Sequence, residues 1–135
     1  MTDIADFLRA RYAERRELAE AASPGPWHVN AEHDEVLAVD GITVADGFAL
    51  SGRQLRATTE HIAANDPEDV IADLDAKLAI VAAYESAAVG QRASGGAGPA
   101  HDLLTGAANT MHYALRLLAQ PFAGHPDHKG EEWAV

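Results

Sequence analysis

The sequence predicts an α+β protein, a small three-stranded antiparallel sheet packed against about four α-helices, and three stretches carry that expectation. Ser23-Pro24-Gly25-Pro26-Trp27 is a rigid turn whose prolines stop the long amphipathic segment before it. Asp40-Gly41 lies between two β-prone runs, the dipeptide of a tight hairpin. Asp66-Pro67-Glu68-Asp69 combines a capping acid, proline at the first helical position and acids in the first turn, so it opens a further helix.

In chain order, residues 3 to 22 predict the first helix, with Thr2 as N-cap and Asp3 and Asp6 near its positive end. Ile4, Phe7, Leu8, Tyr12, Leu18, Ala19 and Ala22 form its apolar stripe, thinned by Arg11 and Arg15. Trp27 is expected to be mostly buried, as the peg that docks this helix onto the strands. Trp27 to Val29 supplies one strand, and Val36 to Ala45 the hairpin. A two-residue type I′ turn pairs Val39 with Ile42 and Leu37 with Val44, placing these four on the core face and Val36, Ala38, Thr43 and Ala45 on the other. Ser51 and Gln54 have capping-box spacing for a helix over 51–64 that buries Leu55, Thr58, Thr59, Ile62 and Ala63. The helix from Pro67 runs to about residue 86, burying Val70, Ile71, Leu74, Leu78 and Val81. A Gly-rich stretch at about 88–99 predicts a flexible linker. The last helix covers 100–120, with Leu104, Ala108, Met111, Leu115 and Leu118 inward, before Pro121 and a tail that ends on Trp133.

At 135 residues the chain is the length of one domain with a real core. It contains no cysteine, which excludes disulfides and thiolate metal sites and fits a reducing cytoplasm. No apolar run reaches the roughly 20 residues of a membrane span, and the N-terminus reads as the start of a charged helix. The formal net charge of -11 disfavours direct nucleic-acid binding, because phosphate backbones are repelled. That charge is uneven. The first helix gathers Arg9, Arg11, Arg15 and Arg16, whereas residues 30–50 carry Glu32, Asp34, Glu35, Asp40 and Asp46 with no Lys or Arg.

Seven histidines invite a metal reading. His125 and His128 flank Asp127, and His61 or His112 would complete a donor set if the tail folded back. His101 and His112 share a helix face but lie about 16 Å apart along the axis, too far for one metal. Pro126 keeps His125 off a regular helical presentation, so the tail histidines 125 and 128 are read as structural; His112, His125 and His128 are the candidate ligands, and no metal or cofactor is assigned. Ser23, Ser51, Ser86 and Ser94 sit in no nucleophile elbow, and no phosphate loop occurs, since Gly95-Gly96-Ala97-Gly98 lacks a strand before it and a lysine after it. No catalytic residue is assigned.

Leu50-Ser51-Gly52-Arg53-Gln54-Leu55-Arg56-Ala57-Thr58, His61-Ile62-Ala63, and the tail from Leu115-Arg116-Leu117-Leu118-Ala119 through His125-Pro126-Asp127 to Glu131-Glu132-Trp133 resemble an uncharacterised family of small proteins from actinobacteria and their phages. The order of helix, Pro-Gly-Pro-Trp turn, hairpin and His61-to-Pro67 motif also looks like a module of Ead-like phage accessory proteins. The resemblance implies no activity. Relatives look to carry cysteine at the position of His112 and more cysteines in the region of the linker, which would suit a metal knuckle; this chain lacks all those thiols. The resemblance together with the residues leads to a non-catalytic phage or prophage accessory protein, cytoplasmic, acting on an unidentified host or phage protein and self-associating through helical surface. The other class is a small metal- or nucleotide-binding protein whose pocket uses Trp27, His61, His112 and the tail.

Overall fold

A computed structural model describes residues 3–135 of the chain. The elements in order are α1 (Ile4–Ala21), β1 (His28–Val29), β2 (Glu35–Leu37), β3 (Thr43–Asp46), α2 (Gly52–Ala63), α3 (Pro67–Ala93) and α4 (Pro99–Ala119), followed by two short 3₁₀ turns, Gln120–Phe122 and Gly130–Trp133. The arrangement is α+β, as the sequence predicts. Contacts group the chain into two compact units, one of Glu14–Leu74 and the other of α1 up to Ala13 with Asp75–Val135. No helix among the described residues is long and apolar enough to cross a membrane.

In the Glu14–Leu74 unit the sheet is an antiparallel meander ordered β1-β2-β3. The hairpin between β2 and β3 forms at Asp40-Gly41, but its loop holds three residues instead of two. Gly41 N–H donates to Ala38 O at 2.9 Å, and Ala38 N–H donates to Ile42 O at 2.9 Å. Gly41 takes a φ of 81°, a left-handed conformation that glycine adopts without a Cβ clash. Leu37 therefore pairs with Thr43, and a register shift between Val36 and Leu37 then brings Val36 opposite Ala45. The core face expected for β2 is nevertheless the wrong one: Val36 and Ala38 are buried, while Val39 and Ile42 face solvent, and on β3 Val44 and Ala45 are both half-buried beside the irregularity.

The Ser23–Trp27 turn is held from two sides. Asp66 is buried; its Oδ1 accepts from Asp69 N–H at 2.9 Å, capping α3, and its Oδ2 accepts from Trp27 N–H at 3.1 Å. Pro24 O accepts from Val39 N–H at 3.2 Å, which ties the turn to the hairpin loop. Trp27 is partly buried, not enclosed, and its indole Nε1 donates to Ser23 O at 2.8 Å.

α2 begins as its capping box predicts, with Ser51 Oγ accepting from Gln54 N–H at 3.2 Å. Its fully buried residue is Thr59, whose Oγ1 lies 3.1 Å from the carbonyl oxygens of His33, Leu55 and Arg56. Thr58, expected inside, is exposed. A Cβ on Gly47 would come within 2.6 Å of Thr59 Cγ2 and 2.9 Å of Leu55 Cδ1, so the chain leaving β3 runs against α2 with no room for a side chain.

In the other unit, Asp3 Oδ1 accepts from Asp6 N–H at 2.8 Å and caps α1; the expected cap Thr2 lies outside the described residues. Ile4, Phe7, Leu8 and Tyr12 are buried as the stripe predicts, and so is Arg11, whereas Leu18 further along α1 is exposed. α3 does not stop near residue 86. It continues through Gly90 to Ala93, and that glycine lets α4 lie close: a Cβ there would sit 3.3 Å from Leu104 Cδ2. The linker expected over 88–99 thus shrinks to 94–98.

The observed register makes a direct prediction. Val36→Ala is expected to lower unfolding free energy by about 1–3 kcal/mol, and Ile42→Ala to change it by less than about 0.5 kcal/mol. Denaturant midpoints of the two variants measure the difference, and a core face with Ile42 inside and Val36 outside requires the opposite order.

Candidate functional site

The tail histidines come together on α1. His125 and His128 each stand edge-on to the Phe7 ring, with centroids 5.7 Å away in both cases, and Trp133 lies 4.9 Å from the same ring. Phe122 closes the cluster against Phe7 at 6.1 Å and Tyr12 at 6.0 Å. Arg11 places its guanidinium 5.2 Å over Phe7, with Nη1 2.7 Å from His125 Nδ1 and 3.8 Å from Asp127 Oδ2. Burying the arginine stem under aromatic rings while its head meets ring nitrogens and a carboxylate gives the guanidinium partners inside a largely apolar cluster.

A backbone amide already engages the Nδ1 atom of each tail histidine. His125 Nδ1 accepts from Asp127 N–H at 3.1 Å, and His128 Nδ1 accepts from Gly130 N–H at 2.9 Å. His128 Nε2 is buried without a hydrogen-bond partner and stands beside Trp133, whose ring centroid is 5.1 Å from its own. His112 is elsewhere on α4, packed against Tyr84 of α3 at 5.7 Å. Among the described residues no group of three or more His, Asp or Glu is placed to hold a metal ion. Trp27 and His61 belong to the Glu14–Leu74 unit, and the groove that Trp27 lines contains no histidine. Arg15, Leu18, Ala19, Ala22, Asn65 and Pro67 are among its walls, around about 340 Å³.

One serine–histidine pair does form. Ser94 Oγ and His101 Nδ1 lie 2.8 Å apart, across the connection between α3 and α4. The rest of the geometry closes a ring around them: Ser94 Oγ donates to Gln91 O at 2.6 Å, Gln91 Nε2 donates to Thr105 Oγ1 at 3.1 Å, and Thr105 Oγ1 lies 3.3 Å from His101 Nε2. The serine proton points at a backbone carbonyl and, among the described residues, no acid orients the imidazole, so the network staples the turn. Sequence spacing gave no sign of this pairing, because it depends on α3 continuing to Ala93.

What stands out chemically is exposed apolar surface. Val39 and Ile42 at the hairpin tip are 56% and 63% exposed, Phe48 is 89% exposed, and Leu50 has no cover at all. Glu32, Asp34, Asp40 and Asp46, all exposed, surround this stretch in sequence. On α4, Leu103, Tyr113 and Leu117 are 75%, 47% and 47% exposed. Leu103 shares with Gly106, Ala107, Thr110 and Met111 the wall of an open hollow of about 510 Å³. The periodicity that found the inner stripe of α4 also contains this second one, at Leu103, Ala107, Thr110, Ala114 and Leu117.

Protein purified without a polyhistidine tag is expected to carry well under one equivalent of zinc, nickel or iron, and a chelator is expected to leave its melting temperature unchanged. Elemental analysis and thermal melts check this. Stoichiometric metal that disappears on replacing His112, His125 or His128 would install a metal centre instead.

The sequence finds no match among curated proteins, and no solved structure matches it. A family model described as a family of unknown function, DUF6221, matches residues 1–135. Since that match spans the whole chain, the protein belongs to the DUF6221 family.

Proposed function

We propose that this chain is a non-catalytic accessory protein of phage or prophage origin that acts in the cytoplasm by binding another protein. The observation that carries the reading is the exposed apolar set Val39, Ile42, Phe48 and Leu50 in a stretch whose only charged residues are acids. Large side chains left in water before and after an edge strand are the mark of a docking surface. The phage setting rests on the resemblance of the Pro-Gly-Pro-Trp turn, hairpin and His61-to-Pro67 order to the Ead-like module. Its test is a pull-down from host lysate with the parent and with Phe48→Ser/Leu50→Ser. The parent is expected to retain a specific protein that the variant loses; equal retention by both would remove the surface from the argument.

A second contact is supported by α4. Its outer stripe is apolar, and within Pro99–Ala119 the only charged residues are Asp102 and Arg116, so two copies meet there without acid facing acid. Self-association through this stripe is expected to give a dimer by light scattering. Leu103→Glu/Leu117→Glu is expected to return the monomer mass with little change in melting temperature, because both positions are exposed.

A further inference from the structure

We infer that β3 is an acceptor edge, and that its partner is an extended protein segment of alternating apolar and basic side chains that adds to the sheet as a fourth strand. This rests on the interaction reading above and names the chemistry of the partner. Among the described residues the meander order leaves β3 with β2 on one side and no strand on the other. An open edge offers backbone donors and acceptors in a row, and pairing along such an edge is a recurrent mode of peptide capture. Natural edges are normally guarded by charge. Here the guard is of one sign.

Between residues 30 and 50 there are five acids and no Lys or Arg. Asp40 and Asp46 bracket β3, and Glu32 and Asp34 sit in the exposed loop before β2. Such an edge repels a strand that carries acids, another copy of the same edge, nucleic acid and anionic lipid alike. It admits a basic strand. Ile42 before β3 and Phe48 and Leu50 after it supply the apolar contacts that a row of hydrogen bonds alone does not, and they are exposed in the free protein. Gly47 fixes where the chain leaves the edge: its N–H donates to Asp34 O at 2.6 Å, and its missing side chain lets it lie against Thr59. The acceptor surface is therefore anchored to α2 at the point where the strand ends and the exposed apolar residues begin.

The probes are two short synthetic peptides, one of alternating lysine and valine and one of alternating glutamate and valine. With the lysine peptide, amide exchange across Thr43–Asp46 is expected to slow by about tenfold or more, and the protection to weaken as salt is raised. The glutamate peptide is expected to give none. Glu32→Gln/Asp46→Asn is expected to reduce the effect of the lysine peptide while leaving the melting temperature in place, and Phe48→Ser/Leu50→Ser to abolish it. Equal protection by both peptides would overturn the charge argument. No protection by either, with lysate capture still dependent on Phe48 and Leu50, would overturn strand addition and leave the interaction reading standing. A dimer that dissociates on replacing Phe48 and Leu50 would make the edge a self-interface and overturn the proposal.

Discussion

In the Glu14–Leu74 unit everything local depends on one buried carboxylate. Asp66 satisfies an orphan amide at the start of α3 and, with its other oxygen, the amide of Trp27. A buried carboxylate is costly unless its lone pairs are met, and here both oxygens are met by backbone donors that would themselves be costly to leave bare. Gly25 completes the arrangement, since a Cβ there would crowd Asp66 Oδ2 at 3.2 Å. The Pro-Gly-Pro-Trp turn is thus shaped as much by the acid it receives as by its own prolines. Its hold reaches the sheet through Pro24 O and Val39 N–H.

Helix starts were the most readable part of the sequence, because caps are local chemistry. Ser51 and Asp66 do what their spacing predicts. The hairpin shows the limit of such reading. Asp40-Gly41 correctly marks a turn, but the glycine occupies the left-handed position after the turn instead of its centre. Both loops are compatible with the dipeptide, and β-prone residues on both faces left nothing to choose between them: Val36 and Ala38 alternate with Leu37 and Val39. Gly90 misled for the opposite reason. A glycine reads as a breaker from sequence, whereas here it is a place where two helices approach closely, a fact that resides in Leu104 fourteen positions later.

The candidate chemistry was less legible than the fold. Histidines near an acid suggest ligands, yet which nitrogen is already bonded depends on backbone amides two residues away, as at His125 with Asp127 and at His128 with Gly130. Trp133, at the end of the tail, packs beside Phe7 and clasps the tail onto α1. The exposed apolar residues at the hairpin tip were hidden by the choice of core face, which put Val39 and Ile42 inward.

Gly47 divides two kinds of residue that are adjacent in the chain. On one side the backbone is wedged against Thr59 and Leu55 and tolerates no added atom; on the other, Phe48 and Leu50 touch little of their own fold. Mutational drift is consequently filtered very differently across a single peptide step. Position 47 is frozen by sterics, while its neighbours are free to change without threatening the scaffold. Substitutions at Phe48 or Leu50 thus change what the surface presents without disturbing the packing of Gly47 on Thr59.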